Sequence, residues 1–337
     1  MIHTVKKIGL LLLALTLLLS SATGEEPFTE KDGYHFDEKG FLAGENPGDE
    51  YILEDEKNGV WQYASKDLAI TVTMFREKDK QYKKKTIEYC VAEVWASAES
   101  PLSAIASEAT KKYVTGEYKE KPEKLIQKHP AMLAVSDDYY GHRIQTRKSK
   151  GSTWPVGVVI RNGEVLGTKT RNPEKNRNLP PLDTFAVYGD GRAEVNLAGE
   201  KSAEEFQADG ATQVFSFGPW LIRDGAVNEK EAGPKSKYYF YSEPRAAIGV
   251  VEPYHYVLIV VRGEPKNKYI GVKFYWLADK LLEYGCTDAL NLDGGGTACI
   301  LFNGKTIISG RGATRPLGSM IAFGTGTPEQ EDRKRHV

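Results

Sequence analysis

Four tight-turn dipeptides constrain this chain more than any other feature of its sequence. Each follows a run rich in Val, Ile, Leu or aromatic residues: Asn162-Gly163, Asp190-Gly191, Asp224-Gly225 and Asn303-Gly304. Asn-Gly and Asp-Gly tolerate the positive φ angles that short hairpin turns require. Four such turns predict four hairpins and therefore a largely antiparallel system of β-sheets.

Strand-like runs also occur away from these turns. Residues 68–75 and 86–95 are rich in β-branched and aromatic residues and are joined by a charged segment, so they predict a further hairpin. The continuous apolar run 256–261 predicts a buried central strand. Residues 289–292 predict a strand that ends directly before Asp293.

Helices are predicted at four places between the strands. One begins at Ser100-Pro101, where a capping residue precedes a proline, and a second begins at Pro122. A capping box at 202–205 opens a third, and apolar residues recur at helical spacing over 274–282 before Gly285. The apolar stripe of the first helix would consist of Leu102, Ile105, Ala106 and Ala109. The predicted fold class is therefore α+β, with a mostly antiparallel or mixed β-sheet core and several flanking helices.

The N-terminal region carries an export pattern. Lys6 and Lys7 precede the apolar run 8–19, which is too short to span the ~30 Å core of a bilayer, and small residues follow it. This pattern predicts a secretory signal peptide over 1–24 and hence a secreted protein without stable membrane insertion after cleavage. An uncleaved membrane anchor is the alternative.

The remaining boundaries follow from composition. Residues 25–57 are strongly acidic and contain several glycines, so they form either a flexible spacer or an irregular collar on the next domain. A single domain is expected over 58–327, because no break in composition divides it. Residues 328–337 form a polar tail.

Composition and missing motifs exclude several classes of function. The 45 Lys and Arg against 46 Asp and Glu exclude a strongly basic, nucleic-acid-coating protein. The chain lacks the zinc motifs, the Gly-x-Ser-x-Gly nucleophile elbow and the dinucleotide fingerprint. Three cysteines cannot form a disulfide framework, and their apolar surroundings favour small core residues.

A glycine-rich turn after a strand is the most informative motif. Asp293 is followed by Gly294, Gly295, Gly296 and Thr297. Three glycines let the backbone approach another group closely, and successive amides in such a turn can point together at an anion. The carboxylate at the strand end is a candidate catalytic group. The alternative is a tight turn capped by Asp293.

Two arginines and one polar segment complete the candidate site. Arg245 enters a predicted strand among small and apolar residues, where a guanidinium group needs an anionic partner, and Arg315 follows the last glycine-rich loop. Either arginine could instead form a surface salt bridge. The segment 137–143 holds two carboxylates, two tyrosines and a histidine, which suits a sugar site, although an ordinary polar turn is equally consistent.

These motifs together resemble the phosphodiester glycosidase family. The resemblance covers roughly residues 60–327 and is most specific in the last third. Ser136 and Asp137 stand where the family usually has Asn and Gly. The segments that carry the resemblance are 155–163, 216–225, 244–249, 277–285, the Asn-Leu-Asp-Gly-Gly-Gly-Thr motif at 291–297, and Arg315-Pro316.

The resemblance implies hydrolysis of a sugar-1-phosphodiester at the anomeric C–O bond. It places Arg245 and Arg315 on the phosphate, assisted by the amides of Gly294, Gly295 and Gly296. Glycoside hydrolysis normally uses two carboxylates, so Asp293 is expected at the anomeric carbon with Asp138 as its partner. Further predicted substrate contacts are Asp137, Tyr140, His142 and Thr297.

Two alternatives remain open. The same pocket could bind an exported sugar-phosphate polymer without cleaving it. No cofactor is expected, although Asp137, Asp138 and Asp293 could jointly hold Ca²⁺, which the neighbouring arginines would oppose.

Overall fold

Antiparallel β-strands dominate the fold. The computed structural model describes residues 29–79, 84–106, 120–138, 157–170, 180–228, 242–264 and 268–325. The strands are β1 (Thr29–Lys31), β2 (Tyr34–Phe36), β3 (Tyr51–Asp55), β4 (Val60–Ala64), β5 (Ala69–Lys78), β6 (Thr86–Trp95), β7 (Ser103–Ala106), β8 (Leu133–Ser136), β9 (Gly157–Arg161), β10 (Glu164–Lys169), β11 (Asp183–Tyr188), β12 (Ala193–Asn196), β13 (Ala211–Phe217), β14 (Trp220–Arg223), β15 (Ala226–Val227), β16 (Arg245–Glu252), β17 (His255–Arg262), β18 (Asp288–Leu292), β19 (Cys299–Phe302), β20 (Lys305–Ser309) and β21 (Ser319–Phe323). The helices are α1 (Pro122–Lys128), α2 (Ala203–Ala208) and α3 (Phe274–Glu283).

The strands form three main sheets and one small ribbon. The largest sheet has nine strands in the order β15-β14-β18-β16-β17-β6-β5-β4-β3. The hairpin-rich sheet has the order β10-β9-β13-β11-β12, the third sheet has the order β20-β19-β8-β21-β7, and β1 pairs with β2. Neighbouring strands within these sheets are antiparallel, as the turn chemistry predicts.

The main core lies between one face of the nine-stranded sheet and the two five-stranded sheets. Alternation along β17 shows the arrangement: Tyr256, Leu258 and Val260 face this core, whereas the residues between them face α3. The run 256–261 is therefore apolar throughout because the strand is buried on both faces. Helices α1 and α2 cover the outer faces of the third sheet and the hairpin-rich sheet.

Most of the predicted local structure is confirmed. The four hairpins form at the predicted turns, and Asn162, Asp224 and Asn303 adopt positive φ angles of 50°, 50° and 49°. The hairpin of β5 and β6 and the strand β17 also form. The capping box at Ser202 opens α2, and Gly285 follows α3 with a φ of 83°. The predicted second helix is α1.

The helix predicted after Ser100-Pro101 is wrong. Residues Ser103–Ala106 form strand β7 at the edge of the third sheet, where Ala104 pairs with Ile321. The Asn162 side chain also accepts from the Ala104 amide at 3.1 Å and donates to the Ala104 carbonyl at 2.9 Å. These partners are distant in sequence, so local spacing did not reveal them, and Ala109 lies outside the described residues. Within the described residues, three helices accompany the sheets, which is fewer than the predicted fold class implies.

The described part of the acidic N-terminal stretch, residues 29–57, forms strands rather than a flexible spacer. It contains β1, β2 and β3, and β3 is an edge strand of the nine-stranded sheet paired with β4. The boundary predicted at residue 58 therefore falls inside a hairpin. The predicted signal peptide (1–24) and polar tail (328–337) lie outside the described residues. None of the helices in the described ranges has the length and hydropathy to cross a membrane.

Replacing Leu258 by Ala tests the position of the main core. Leu258 is fully buried in β17, so the Leu258→Ala variant should lose about 2–5 kcal/mol of unfolding free energy in urea titrations. Leu197→Ala is the matched control, because Leu197 is 40% exposed and its loss should change stability by less than about 0.5 kcal/mol. Equal losses in the two variants would contradict this placement of the core.

Candidate functional site

The glycine-rich turn and the Arg245 strand are adjacent in the nine-stranded sheet. Ala246 pairs with Leu292 across β16 and β18, so continuing this register places Arg245 opposite Asp293. The Gly295 amide donates to the Pro244 carbonyl at 2.9 Å. The sequence prediction that these two motifs meet in space is therefore consistent with the fold.

The turn requires glycine because other backbone segments press against it. A Cβ atom on Gly294 would lie 2.6 Å from the Pro244 carbonyl oxygen. A Cβ atom on Gly310 would lie 2.0 Å from the Gly295 carbonyl oxygen. Neither contact is sterically possible, so these positions exclude any side chain. The glycines thus permit close approach of the backbone, as the sequence indicated.

Arg315 lies against the same turn from a different direction. A Cβ atom on Gly296 would lie 3.0 Å from Cζ of the Arg315 guanidinium group. Arg315 is exposed, whereas Arg245 is buried with its guanidinium group 4.0 Å from the centroid of the Phe274 ring. Arg245 Nε donates to the Val272 carbonyl at 3.3 Å. The two arginines therefore bracket the turn in different environments.

Asp293 is held from both sides. The Thr297 hydroxyl lies 2.8 Å from Asp293 Oδ2 and 2.6 Å from the Gly294 carbonyl, and it can donate to one of them at a time. The Asp293 amide donates to the Asp137 carbonyl at 3.0 Å. This last bond joins the glycine turn to the end of β8, where the other predicted carboxylates lie.

Asp137 and Asp138 are buried and face Arg161. The Arg161 Nη2 atom donates to Asp137 Oδ2 at 3.2 Å and forms a short ion pair with Asp138. Asp138 also accepts from the Ser216 amide, and Asp137 accepts from the Ser319 hydroxyl. All three charged side chains are nearly inaccessible to solvent. One buried guanidinium group therefore pairs with both carboxylates.

Arg161 lies beside the candidate site and was not predicted from the sequence. It ends the apolar run of β9 directly before the Asn162-Gly163 turn, and its guanidinium group lies 4.3 Å from the centroid of the Phe215 ring. A guanidinium group among apolar residues was the signal used for Arg245. The same signal at Arg161 would have found the counterion of the two aspartates.

The other predicted site residues are Tyr140 and His142, and a shared Ca²⁺ site was the predicted alternative. Tyr140 and His142 lie outside the described residues. In the described ranges, no group of three His, Cys, Asp or Glu residues is placed to hold a metal ion, and Asp137 and Asp138 instead contact Arg161. This arrangement contradicts the alternative of a shared Ca²⁺ site. Three cysteines are free and buried, as predicted: Cys90, Cys286 and Cys299.

The chain is similar in sequence to known proteins and to one family model. The family model described as phosphodiester glycosidase matches residues 130–324. The human N-acetylglucosamine-1-phosphodiester alpha-N-acetylglucosaminidase is 29% identical over 158 residues, covering 43% of this chain and 30% of the human protein. An SPbeta prophage-derived uncharacterized protein of Bacillus subtilis, YomE, is 27% identical over 151 residues, covering 43% of this chain and 23% of that protein. The chain thus spans less than a third of the length of these relatives.

A solved structure shares the fold. The zebrafish N-acetylglucosamine-1-phosphodiester alpha-N-acetylglucosaminidase catalytic domain, described as auto-inhibited by its pro-peptide, matches with a TM-score of 0.57 at 16% identity. The match covers 83% of this chain and 89% of the zebrafish chain. The sheet arrangement therefore extends well beyond the segment in which sequence similarity is detectable.

Replacing Arg161 by Met tests the buried ion pairs. The Arg161→Met variant removes a buried guanidinium group that pairs with two buried carboxylates, so it should lose about 3–5 kcal/mol of unfolding free energy. Arg192→Met is the matched control, because the Arg192–Asp190 pair has side chains 56% and 59% exposed and should contribute nothing measurable. Similar urea midpoints for both variants would contradict the structural role of Arg161.

Proposed function

Because the chain belongs to the phosphodiester glycosidase family, we propose that it hydrolyses a sugar-1-phosphodiester at the anomeric C–O bond. The observation that supports this most directly is the convergence of Asp293, Arg245 and Arg315 on one glycine turn. N-Acetylglucosamine 1-phosphate joined to another sugar or to a polymer is the substrate type that the names of the human and zebrafish proteins favour.

Departure of the phosphate leaving group depends more on contacts with cationic side chains than on protonation by a general acid. Water supplies the hydroxyl group at the anomeric carbon, and the departing phosphate monoester keeps the bridging oxygen. Such a leaving group is already stabilised, since its second pKa is about 6. Arg245 and Arg315 provide charge-assisted donors for the phosphate oxygens. The Gly295 amide is used within the turn, which leaves those of Gly294 and Gly296 to assist.

Asp293 is the carboxylate that we place at the anomeric carbon. Thr297 then acts by orienting Asp293 rather than by contacting the sugar, because its hydroxyl lies within hydrogen-bond distance of that carboxylate. For Asp138 to act as the second carboxylate, its ion pair with Arg161 must open. In the paired state, Asp137 and Asp138 support the site by holding the end of β8 beside Asp293.

Export is a part of the same proposal. The signal-peptide pattern over 1–24 supports a mature chain outside the cytoplasm, where sugar-phosphate polymers of an envelope or capsule are substrates of the appropriate class. Secretion of the chain from its own cells, followed by determination of the mature N-terminus, tests this part separately from the activity.

The activity is tested with a p-nitrophenyl diester of N-acetylglucosamine 1-phosphate and matched arginine variants. Arg245→Met and Arg315→Met should each lower kcat/KM by about 10²–10³-fold, because each removes a charge-assisted contact to the leaving phosphate. Arg311→Met is the control on the Arg315 loop, since Arg311 is exposed and pairs with Glu243. Equal activity of all three variants would contradict the assignment of the two arginines.

Asparagine substitutions distinguish the roles of the Asp293 and Asp138 carboxylates. Asp293→Asn should lower kcat by at least about 10²-fold. A comparable loss in Asp138→Asn with an unchanged unfolding midpoint would identify Asp138 as the second catalytic carboxylate, whereas a lower midpoint would identify a supporting role. Binding of sugar phosphodiesters by the wild type without turnover of any of them would favour the alternative, a non-catalytic binding module.

A further inference from the structure

A polar cleft lies between one end of the nine-stranded sheet and strand β20. Its volume is about 520 Å³, which is within the range of small-molecule sites. One wall consists of side chains from β5, β6 and β17, and the opposite wall consists of β20 and the loop 310–314. None of the residues placed at the glycine turn lines this cleft.

A row of alternating charges forms the first wall. Glu88 of β6 pairs in register with Arg76 of β5 on one side and with Arg262 of β17 on the other. Arg76 Nε donates to Glu88 Oε2 at 2.6 Å, and Arg262 Nη1 donates to Glu88 Oε1 at 3.1 Å. The Glu88 carboxylate is buried, whereas the Arg76 side chain is 60% exposed. The exposed Arg76 guanidinium group therefore borders the cleft beside a buried carboxylate, whereas Arg262 is held further by Glu264.

A carboxylate fixed by two hydroxyl groups lies at the opposite wall. Glu123 of α1 accepts from the Thr306 hydroxyl at 2.9 Å and from the Thr314 hydroxyl at 2.8 Å. Burial acts to raise the pKa of Glu123, but hydrogen bonds from its own amide and from these hydroxyls outweigh it and lower the pKa. Glu123 is therefore an ionised acceptor at neutral pH.

The charge balance of the lining selects the class of ligand. Two arginines and two glutamates line the cleft, so a phosphate gains no net attraction there. Sugar hydroxyl groups both donate and accept, and they suit a lining of oriented guanidinium and carboxylate groups. Met74, Ile307 and the Tyr269 ring add apolar surface for the C–H face of a sugar.

We propose that this cleft is a binding subsite for a neutral saccharide unit. The loop 310–316 connects it to the glycine turn, because Gly310 and Arg315 contact the turn while Gly312 and Thr314 line the cleft. This inference rests on the proposed function. The arrangement implies a substrate in which further sugar units are attached to the phosphodiester. An oligosaccharide or polymer then occupies both sides of the loop.

Binding is measured without any cleavage step. The probes are neutral, phosphate-free tetrasaccharides of glucose, galactose, mannose or N-acetylglucosamine. Their binding is measured by isothermal titration calorimetry and by saturation-transfer NMR. Ala313→Trp introduces a large side chain into the cleft while keeping its ion pairs. Ala226→Trp is the matched control, since Ala226 is exposed on β15 and is absent from the cleft lining.

The expected result is binding of at least one tetrasaccharide by the wild type, weakened by at least about tenfold in Ala313→Trp and unchanged in Ala226→Trp. If Ala313→Trp does not fold, as judged by circular dichroism, Arg76→Ala takes its place, because Arg76 is largely exposed and Glu88 keeps its pairing with Arg262. Binding of no tetrasaccharide at millimolar concentration, or equal binding by the cleft variant and the control, overturns the proposal. Wild-type turnover of the single-sugar p-nitrophenyl diester reports separately on the proposed function.

Discussion

The ion pairs of Arg161 with Asp137 and Asp138 are the interactions on which the arrangement of the sheets depends. Arg161 belongs to the hairpin-rich sheet, and the two aspartates follow β8 of the third sheet. The Asp137 carbonyl then accepts from the Asp293 amide at the end of a strand of the nine-stranded sheet. A single buried cluster thus joins all three sheets at the point where the candidate site lies. Removing the pairs from water costs free energy, so their value lies in orienting the sheets.

The site combines a rigid base with an exposed edge. Arg245 and the aspartates are buried and held by neighbouring strands, whereas Arg315 lies on an exposed loop. A buried cation keeps its position without a ligand, which reduces the reorganisation that binding requires. An exposed arginine is free to follow the ligand at a cost in side-chain entropy. The glycine turn lets these two kinds of group approach the same small volume.

The sequence predicted the local features well and the long-range partners poorly. Hairpins at Asn162 and Asn303 and the capping box at Ser202 follow from chemistry within a few residues, so they were predictable. Strand β7 was mistaken for a helix because its pairing with β21 involves residues more than 200 positions away. The pairing of Asp138 with Arg161, 23 positions away, was missed because the apolar surroundings of Arg161 were not considered as those of Arg245 were. The glycine-rich run after Asp293 and the apolar surroundings of Arg245 located these two motifs, but only the register of β16 and β18 shows how they meet.

The acidic stretch that precedes β4 contributes contacts that a truncated protein would lose. Glu54 of β3 accepts from the Asn303 side chain at 2.6 Å and pairs with Lys305, so it fastens the edge of the nine-stranded sheet to the β19–β20 hairpin. A truncation beginning at residue 58 would remove β3 and expose the hydrogen-bonding edge of β4, which is a template for intermolecular strand pairing. Recombinant versions of this protein should therefore retain the residues from β1 onwards if they are to stay monodisperse during purification.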